Sequence, residues 1–282
     1  MRAMSILISG ASGQFGRRVA QFLLEANTPE VVLVTRTPDA VRDLDAEIRH
    51  GDFDSPETLE AAFAGGDKLL LVSLPVIGAR VPQHKAAIEA AKRAGVRQIA
   101  YTSIVNPGPE NPAAVAAEHR ETEQAIEAGG FDYIFLRNNI YADLQPLSAQ
   151  AAIESGRLVT NAGDGRTGYV TREDCAAVAA AILASDGHEN RAYDVTGPEA
   201  LDAGDLAALY SELGGKPVEV VHVDDAGYVA GLVEHAGMPP AVAEVYATFG
   251  AATRSGVLDV TTDVVERLTG RTPGTVRSVL WS

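Results

Sequence analysis

The sequence is poor in features that mark several common classes of protein. Its 282 residues include one cysteine, Cys175, which excludes an internal disulfide framework and is typical of a reducing compartment. It has no apolar run near the roughly 20 residues of a membrane span, and its start lacks the apolar core and cleavage site of a signal peptide. With 38 acidic and 23 basic residues the formal net charge is −15, which argues against nonspecific nucleic-acid binding. We therefore expect a cytoplasmic protein without a membrane or nucleic-acid partner.

Several catalytic signatures are also missing. The six histidines show no zinc-ligand pairing with the one cysteine, so no metal site is expected. The segment from Ser9 to Gly13 lacks the Gly-x-Ser-x-Gly elbow of hydrolases. The glycine-rich turn that begins at Gly10 is not followed by the lysine of a phosphate-binding P-loop. Metal-dependent, hydrolase and P-loop chemistry are therefore not indicated.

A glycine-spaced turn near the start of the chain is the strongest positive feature. An apolar run leads directly into a Gly-x-x-Gly-x-x-Gly turn, and apolar residues at helical spacing follow. Strand, tight turn and helix form the context of a dinucleotide-binding site, in which free N–H groups at the helix start face a diphosphate. The candidate cofactor-binding residues of the turn are Gly10, Ala11, Ser12, Gly13, Gln14, Phe15 and Gly16. Because the commonest form is Gly-x-Gly-x-x-Gly, a plain strand–turn–helix connection stays open as an alternative.

Arg36 indicates which dinucleotide the turn would hold. It follows a second apolar run and lies twenty positions after Gly16, where an acidic residue selects NAD and an arginine accepts the 2′-phosphate of NADP. A planar guanidinium can make two charge-assisted bonds to one phosphate. The alternative is an arginine in solvent at a strand end. Together the turn and Arg36 favour NADPH over NADH.

The order of the remaining segments predicts an α/β fold. Strand-like and helix-like runs alternate, as in a Rossmann-type, doubly wound parallel sheet. We predict an NADPH-binding domain over residues 1–155, with a last strand at 191–197 returning to it. Residues 156–282 would form a smaller mixed α/β substrate-binding lobe. A cleft between the two is the expected substrate site.

Polar residues follow several predicted strands at the carboxyl edge, where ligands of such sheets collect. Asp52 ends the third strand and is a candidate for the adenine edge, with an Asx-turn or helix cap as the alternative. Further candidates at the ends of the fourth, fifth and sixth strands are Ser73, Leu74, Tyr101, Asn138, Asn139 and Tyr141.

Taken together, these motifs resemble the NmrA-like group of atypical short-chain dehydrogenases/reductases, and within it the bacterial NADPH:quinone oxidoreductases. The motifs that carry the resemblance are the Gly10–Gly16 turn, 69–73, 82–84, 100–103, 118–123, 137–141 and 169–174. The resemblance implies that Gly10 to Gln14 and Arg36 hold NADPH phosphates. It also implies that Ser73 and residues 137–141 line the nicotinamide end, with Arg172 close to the cofactor. A homodimer is a further expectation at family level.

The resemblance leaves the acid–base chemistry open. Ordinary short-chain dehydrogenases protonate a carbonyl with a Tyr-x-x-x-Lys pair, and no tyrosine here has a lysine four positions later. Related alkene reductases carry a helix lysine where this sequence has His119, a candidate general acid or an exposed helix histidine. Quinone reduction needs mainly proximity and orientation. Tyr141, Asn138 and Asn139 are candidates to hydrogen-bond a quinone oxygen, and Tyr101 to stack or bond nearby, although each has a purely structural alternative.

The predicted function is therefore NADPH-dependent hydride transfer to a quinone or related aromatic acceptor, without a Tyr-x-x-x-Lys acid. Two alternatives remain open at this point. One is a nonenzymatic NADP-binding redox sensor of the NmrA type. The other is a tailoring reductase or isomerase acting on an aromatic metabolite, which a productive His119 would favour.

Overall fold

The computed structural model describes residues 4–282. Residues 1–3, which belong to the predicted NADPH-binding domain and to the segment considered for a signal peptide, lie outside the described part. The strands are β1 (Ile6–Ser9), β2 (Val31–Thr35), β3 (Glu47–His50), β4 (Lys68–Leu71), β5 (Gln98–Ile104), β6 (Asp132–Asn138), β7 (Arg157–Thr160), β8 (Arg191–Val195) and β9 (Glu219–His222). The α-helices are α1 (Gln14–Glu25), α2 (Leu59–Phe63), α3 (Arg80–Arg93), α4 (Ala114–Gly129), α5 (Gln145–Ser155), α6 (Arg172–Leu183), α7 (Ala203–Gly214), α8 (Asp225–Ala236), α9 (Pro240–Arg254), α10 (Val264–Thr269) and α11 (Val276–Leu280). Short 3-10 helices cover Pro38–Val41, Pro56–Thr58 and Ala142–Leu144.

Seven parallel strands form the main sheet, in the order β3-β2-β1-β4-β5-β6-β8. The strands at its centre are mostly apolar, since helices cover both faces, and polar residues stand mainly at their ends. Every residue of β1, β2, β4 and β5 is buried. The chain order reverses between β1 and β4, and a crevice at the carboxyl end of such a switch point is the usual ligand site of this fold. The α/β, Rossmann-type prediction is confirmed.

The two faces of the sheet carry separate layers of helices. On one face, Val19 of α1, Val178 of α6 and Val264 of α10 belong to a single apolar cluster. On the other face, Phe63 of α2, Ile88 of α3 and Ile126 of α4 belong to a second cluster. Residues that alternate along the strands therefore point into different cores, as side chains on successive strand positions must.

The smaller lobe is built around a two-stranded parallel sheet of β7 and β9. A third apolar cluster joins α5, α7 and α11 beside this sheet, while α8 and α9 pack against each other. Two helices after residue 156, α6 and α10, pack instead on the main sheet beside α1 and β8. The chain thus passes between the main sheet and the smaller lobe several times after residue 155, and the division into two domains at that residue stays a prediction.

Within residues 4–282, no helix has both the length and the apolar character that crossing a membrane requires.

Candidate functional site

The glycine turn after β1 places the start of α1 at the carboxyl edge of the sheet. Gly10 has φ +62°, a left-handed conformation that glycine adopts without strain. The Gly13 N–H donates to the Gly10 carbonyl at 2.9 Å. A Cβ on Gly16 would lie 2.6 Å from that same carbonyl oxygen, so the helix can approach the turn this closely only because residue 16 is glycine. The first turn of α1 contains no acidic residue, which leaves the positive end of its dipole unneutralised.

A cavity of about 340 Å³ opens directly above this turn. Its wall includes ten of the predicted cofactor-binding residues: Gly10, Ser12, Gly13, Gln14, Phe15, Gly16, Arg36, Asp52, Ser73 and Leu74. The sequence analysis missed eight further wall residues: Thr35, Gly51, Phe53, Asp54, Val72, Pro75, Val76 and Gln83. Ala11 is fully buried beneath the turn and is not part of the wall. We call this cavity the nucleotide cleft.

Arg36 lies at one end of the nucleotide cleft with its side chain 68% exposed. Its guanidinium is 3.7 Å from the Asp54 carboxylate. At the neighbouring strand end, the Thr35 hydroxyl donates to the Ser12 hydroxyl at 2.8 Å and links β2 to the glycine turn. This end of the cleft therefore offers a largely exposed cation beside hydroxyl groups, as a phosphate site needs.

Asp52 shows the Asx-turn that the sequence left open. One of its carboxylate oxygens accepts the Asp54 N–H at 3.0 Å, and its own N–H donates to the Thr58 hydroxyl at 3.0 Å. The residue nevertheless lies in the cleft wall. Its structural role is thus observed, and the proposed contact with an adenine edge stays a prediction.

Hydrogen bonds from neighbouring strands fix the backbone that leaves β4. The Val72 N–H donates to the Ser9 hydroxyl at 3.0 Å, and the Ser73 N–H donates to the Thr102 hydroxyl at 2.7 Å. These side chains come from β1 and β5, the two strands that flank β4. The two hydrogen bonds hold residues 72 and 73 where the chain leaves the sheet and lines the cleft, which is where Ser73 and Leu74 were predicted to lie.

Three predicted site residues are wrong in position. Tyr101 has no exposed surface, because the odd-numbered side chains of β5 point into the core beneath α3 and α4. His119 is 6% exposed and hydrogen-bonded to the Tyr101 hydroxyl and to Arg80, so the exposed-histidine alternative is wrong as well. Burial, with smaller contributions from Arg80 and His84, lowers the pKa of His119 to about 3. A neutral, buried imidazole is not a general acid toward a substrate in the cleft.

Asn139 is the third residue whose predicted position is wrong, because its side chain hydrogen-bonds only backbone groups. Its amide nitrogen donates to the Leu258 carbonyl at 3.0 Å, and its amide oxygen accepts the Ile140 N–H at 2.9 Å. The side chain is 3% exposed. Asn139 therefore connects the end of β6 to the segment after α9 and has no surface with which to touch a cofactor.

Tyr141, Asn138 and Arg172 do come together. The Asn138 amide nitrogen donates to the Tyr141 hydroxyl at 3.1 Å, and the Arg172 guanidinium lies 5.0 Å from the centre of the Tyr141 ring. Arg172 also lies 3.6 Å from Asp143, so its charge is partly balanced. Burial raises the pKa of the Tyr141 phenol, which keeps the phenol protonated at neutral pH. Since Asn138 supplies a donor, the phenolic proton of Tyr141 stays available for another acceptor.

A second cavity, of about 400 Å³, is lined largely by the smaller lobe, with Ile77 and Ile140 contributed from the side of the main sheet. Aromatic side chains from four segments line it: Tyr169, Tyr210, Tyr228, Tyr246 and Phe249. The acidic residue in its wall, Asp202, caps α7 and pairs with Arg166 at 3.1 Å. Burial raises the pKa of Tyr169 to about 12, so its phenol is neutral. We call this the aromatic cavity, and its lining suits a flat apolar ring with few polar groups.

The sequence analysis missed the aromatic cavity because its lining residues are scattered. They come from positions 77 to 253, and no single segment holds a recognisable motif. One usable signal was the pair Tyr246 and Phe249, which lie three residues apart on α9 and so share a face. Among residues 4–282, no group of histidine, cysteine and acidic side chains is arranged to bind a metal ion.

The comparisons with known proteins agree with the fold. A model of the NAD(P)H-binding family matches residues 10–186. Quinone oxidoreductase 2 of Escherichia coli (strain K12) is 36% identical over 259 residues, with 90% of each chain covered. An NAD(P)H azoreductase of Xenophilus azovorans is 34% identical over 280 residues, covering 94% of this chain and 93% of that one. The crystal structure of an Escherichia coli NADPH-dependent quinone oxidoreductase with NADPH superposes with a TM-score of 0.93, at 33% identity and 98% coverage of both chains.

Proposed function

The chain belongs to the NAD(P)H-binding family, and from this membership we propose that it is an NADPH-dependent oxidoreductase acting on a quinone-type acceptor. The relatives described above are quinone oxidoreductases and an NAD(P)H azoreductase, each similar to this chain along nearly its whole length. One observation of the structure carries the proposal. Val76 lines the nucleotide cleft and the next residue in the chain, Ile77, lines the aromatic cavity, so the two cavities share one wall segment.

The residues of the nucleotide cleft fit NADPH. The close approach of α1 to the turn, which a Cβ on Gly16 would obstruct, creates a backbone cradle for a pyrophosphate. Arg36, in the wall of the cleft, would hold the 2′-phosphate at one end. The opposite end, along Val72 to Val76, is then left for the nicotinamide. When bound there, the cofactor supplies the hydride that reduces the acceptor.

The aromatic cavity would hold the acceptor ring. Its tyrosine and phenylalanine side chains offer stacking faces and exclude water, and it presents little charge to a neutral ring. A quinone needs chiefly to be held in orientation, because the reduced product is an aromatic anion that water can protonate. The missing Tyr-x-x-x-Lys pair is consistent with such an acceptor.

Tyr141 belongs to neither cavity wall, but it directly follows Ile140 in the wall of the aromatic cavity, and it is the proposed polar contact for the acceptor oxygen. Its hydroxyl receives a hydrogen bond from Asn138, so its own proton is directed elsewhere. Asn138 is 5% exposed and therefore acts as a positioning residue for Tyr141. Arg172, above the Tyr141 ring, adds positive charge where negative charge develops on the acceptor.

The decisive experiment is NADPH oxidation, followed at the nicotinamide absorbance band, with a panel of benzoquinones and naphthoquinones. NADH is run in parallel, and NADPH binding is measured separately. We expect turnover with NADPH preferred. Tight NADPH binding without turnover of any quinone would contradict the proposal and favour the NADP sensor that the sequence left open.

A pair of variants tests the assignment of Tyr141. Tyr141→Phe should lower kcat/KM for the quinone about tenfold and leave the Kd of NADPH unchanged, since one hydrogen bond to the acceptor is lost. Tyr133→Phe is the matched control, because Tyr133 lies on β6 and stacks on Phe135 away from both cavities. Equal effects of the two variants would refute the role of Tyr141.

Three other expectations stay predictions: the cytoplasmic location, the homodimer, and the assignment of the smaller lobe as the substrate-binding domain.

A further inference from the structure

We propose that His84 and Glu118 are positioning residues that fix the wall between the nucleotide cleft and the aromatic cavity. The wall is the segment of residues 74–78, which we call the partition. The inference rests on the proposed function, since it concerns how the two cavities are kept in register for hydride transfer.

The partition, five residues long, borders both cavities. Leu74, Pro75 and Val76 line the nucleotide cleft, and Ile77 lines the aromatic cavity. The side chains of Val76 and Ile77 are 46% and 41% exposed, so the core does not hold them. A segment with so little buried apolar surface needs polar anchors to keep one conformation.

His84 anchors the start of the partition. Its Nε2 accepts the Leu74 N–H at 3.2 Å, and its Nδ1 lies 3.0 Å from the Thr122 hydroxyl. The Thr122 hydroxyl donates its proton to the Glu118 carbonyl at 2.9 Å. Nδ1 must therefore carry the imidazole proton and donate to Thr122, which leaves Nε2 as the acceptor that the Leu74 N–H requires. Thr122 thus fixes the tautomer with which His84 holds the partition.

Glu118 anchors the end of the partition. One carboxylate oxygen accepts the Gly78 N–H at 2.8 Å, and the other lies 3.2 Å from the Arg80 Nε. Gly78 has φ +86°, so the chain turns sharply at this anchor. Arg80 is itself 6% exposed and also contacts His119 at 3.3 Å. His119 and Tyr101, which do not reach the cavities, therefore act as buried support for the arginine that orients Glu118.

Both anchors come from α3 and α4, outside the cavities. His84 lies on α3 and Glu118 on α4, and neither belongs to a cavity wall. Their effect on the reaction would pass entirely through the backbone of the partition. This gives a role to the buried polar network of His84, Thr122 and Glu118 between the two helices.

The test compares substitutions that remove or keep each hydrogen-bond acceptor. Glu118→Ala and His84→Leu remove an acceptor, whereas Glu118→Gln and His84→Gln keep one within reach of the same N–H. Glu121→Ala is the control, because Glu121 also joins α4 to α3, through Lys85, but is exposed and touches no part of the partition. Each variant is checked for Tm and for the Kd of NADPH and of adenosine 2′,5′-bisphosphate, which occupies only the Arg36 end of the cleft.

We expect Glu118→Ala and His84→Leu to weaken NADPH binding about tenfold and to raise the quinone KM about tenfold. Binding of adenosine 2′,5′-bisphosphate should change less than twofold. Hydrogen exchange of the amides of residues 74 and 76–78 should speed up at least tenfold, and the glutamine variants and Glu121→Ala should stay near the wild type.

The proposal is overturned if the Ala and Leu variants lose Tm while NADPH and adenosine 2′,5′-bisphosphate weaken by the same factor and the KM is unchanged. That outcome would assign both residues a purely structural role. If the wild type reduces no quinone, the proposed function fails, but the binding ratio and the exchange rates still test the anchors independently.

Discussion

Replacement of Arg36 by alanine is the sharpest test of the cofactor assignment. The Arg36 side chain is 68% exposed, lies in the wall of the nucleotide cleft, and has Asp54 at 3.7 Å as its ion-pair partner. A 2′-phosphate bound there would gain up to two charge-assisted hydrogen bonds, at roughly 1.5–3 kcal/mol each. Exposure and the competing Asp54 carboxylate reduce this gain, so we take about 2–3 kcal/mol. The expected loss of NADPH affinity is about 30- to 150-fold.

Asp54 increases the difference expected between the two cofactors in the Arg36→Ala variant. In Arg36→Ala its carboxylate loses its counter-ion and would repel a 2′-phosphate, whereas the 2′-hydroxyl of NADH carries no charge to repel. NADH affinity should therefore change less than twofold. In Asp54→Asn, with Arg36 intact, NADPH should bind a few times more tightly than to the wild type, because the guanidinium no longer shares its charge.

The assay is the Kd of each cofactor, measured from nicotinamide fluorescence at low and at moderate salt. The advantage of wild type over Arg36→Ala should shrink as salt increases, since exposed charges are screened. Arg42→Ala is the matched control: Arg42 is 74% exposed, pairs with Asp39, and lies outside the cleft wall. Equal losses for NADPH and NADH would refute the assignment of Arg36 to the 2′-phosphate.

Three further predictions concern the turn, acid stability and the aromatic cavity. Gly16→Ala should reduce NADPH affinity at least tenfold, because its Cβ would meet a backbone oxygen at 2.6 Å. Gly231→Ala is the control, since open space surrounds Gly231 and no loss of affinity is expected. Similar Kd values for the two variants would contradict this prediction. His84 and His119 have folded-state pKa values of about 4 and about 3 against 6.5, so the unfolded chain binds more protons below about pH 6.5. Stability should then fall by about 1.4 kcal/mol per histidine per pH unit as pH decreases, and urea unfolding that is unchanged between pH 7 and 5 would be evidence against it. Phe249→Ala should lower kcat/KM for aromatic acceptors about tenfold at constant NADPH Kd, and a parallel loss of NADPH binding would oppose that reading.

The nucleotide half of the site was predictable because its signals are local. Gly10, Gly13 and Gly16 are needed for a backbone path, and Arg36 follows a strand at a fixed interval, so residue type and spacing carry the information. The strands of the main sheet were predictable for a related reason. Strands buried on both faces are predominantly apolar, and such runs are visible in the sequence.

The acceptor half was not predictable, because it depends on which face of a strand each side chain occupies. Tyr101 and Asn138 both belong to strands that end at the ligand edge, yet one points beneath α4 and the other toward Tyr141. A shift of one position exchanges these faces. The helical position of His119 was predicted correctly, but the residue lies on the buried side of that helix. The aromatic cavity is assembled from residues that only the tertiary fold brings together.

The helix α10 has a consequence for how the chain acquires its shape during synthesis. Val264 and Val265 complete the same apolar cluster as Val19 of α1, although nearly the whole sequence separates them. A ribosome that adds roughly 5–20 residues per second needs on the order of 10–50 s to synthesise that interval. Throughout that time the apolar face of α1 lacks part of its final cover. Chaperone contact with the nascent chain is therefore expected, and nucleotide binding should appear only after α10 has left the exit tunnel.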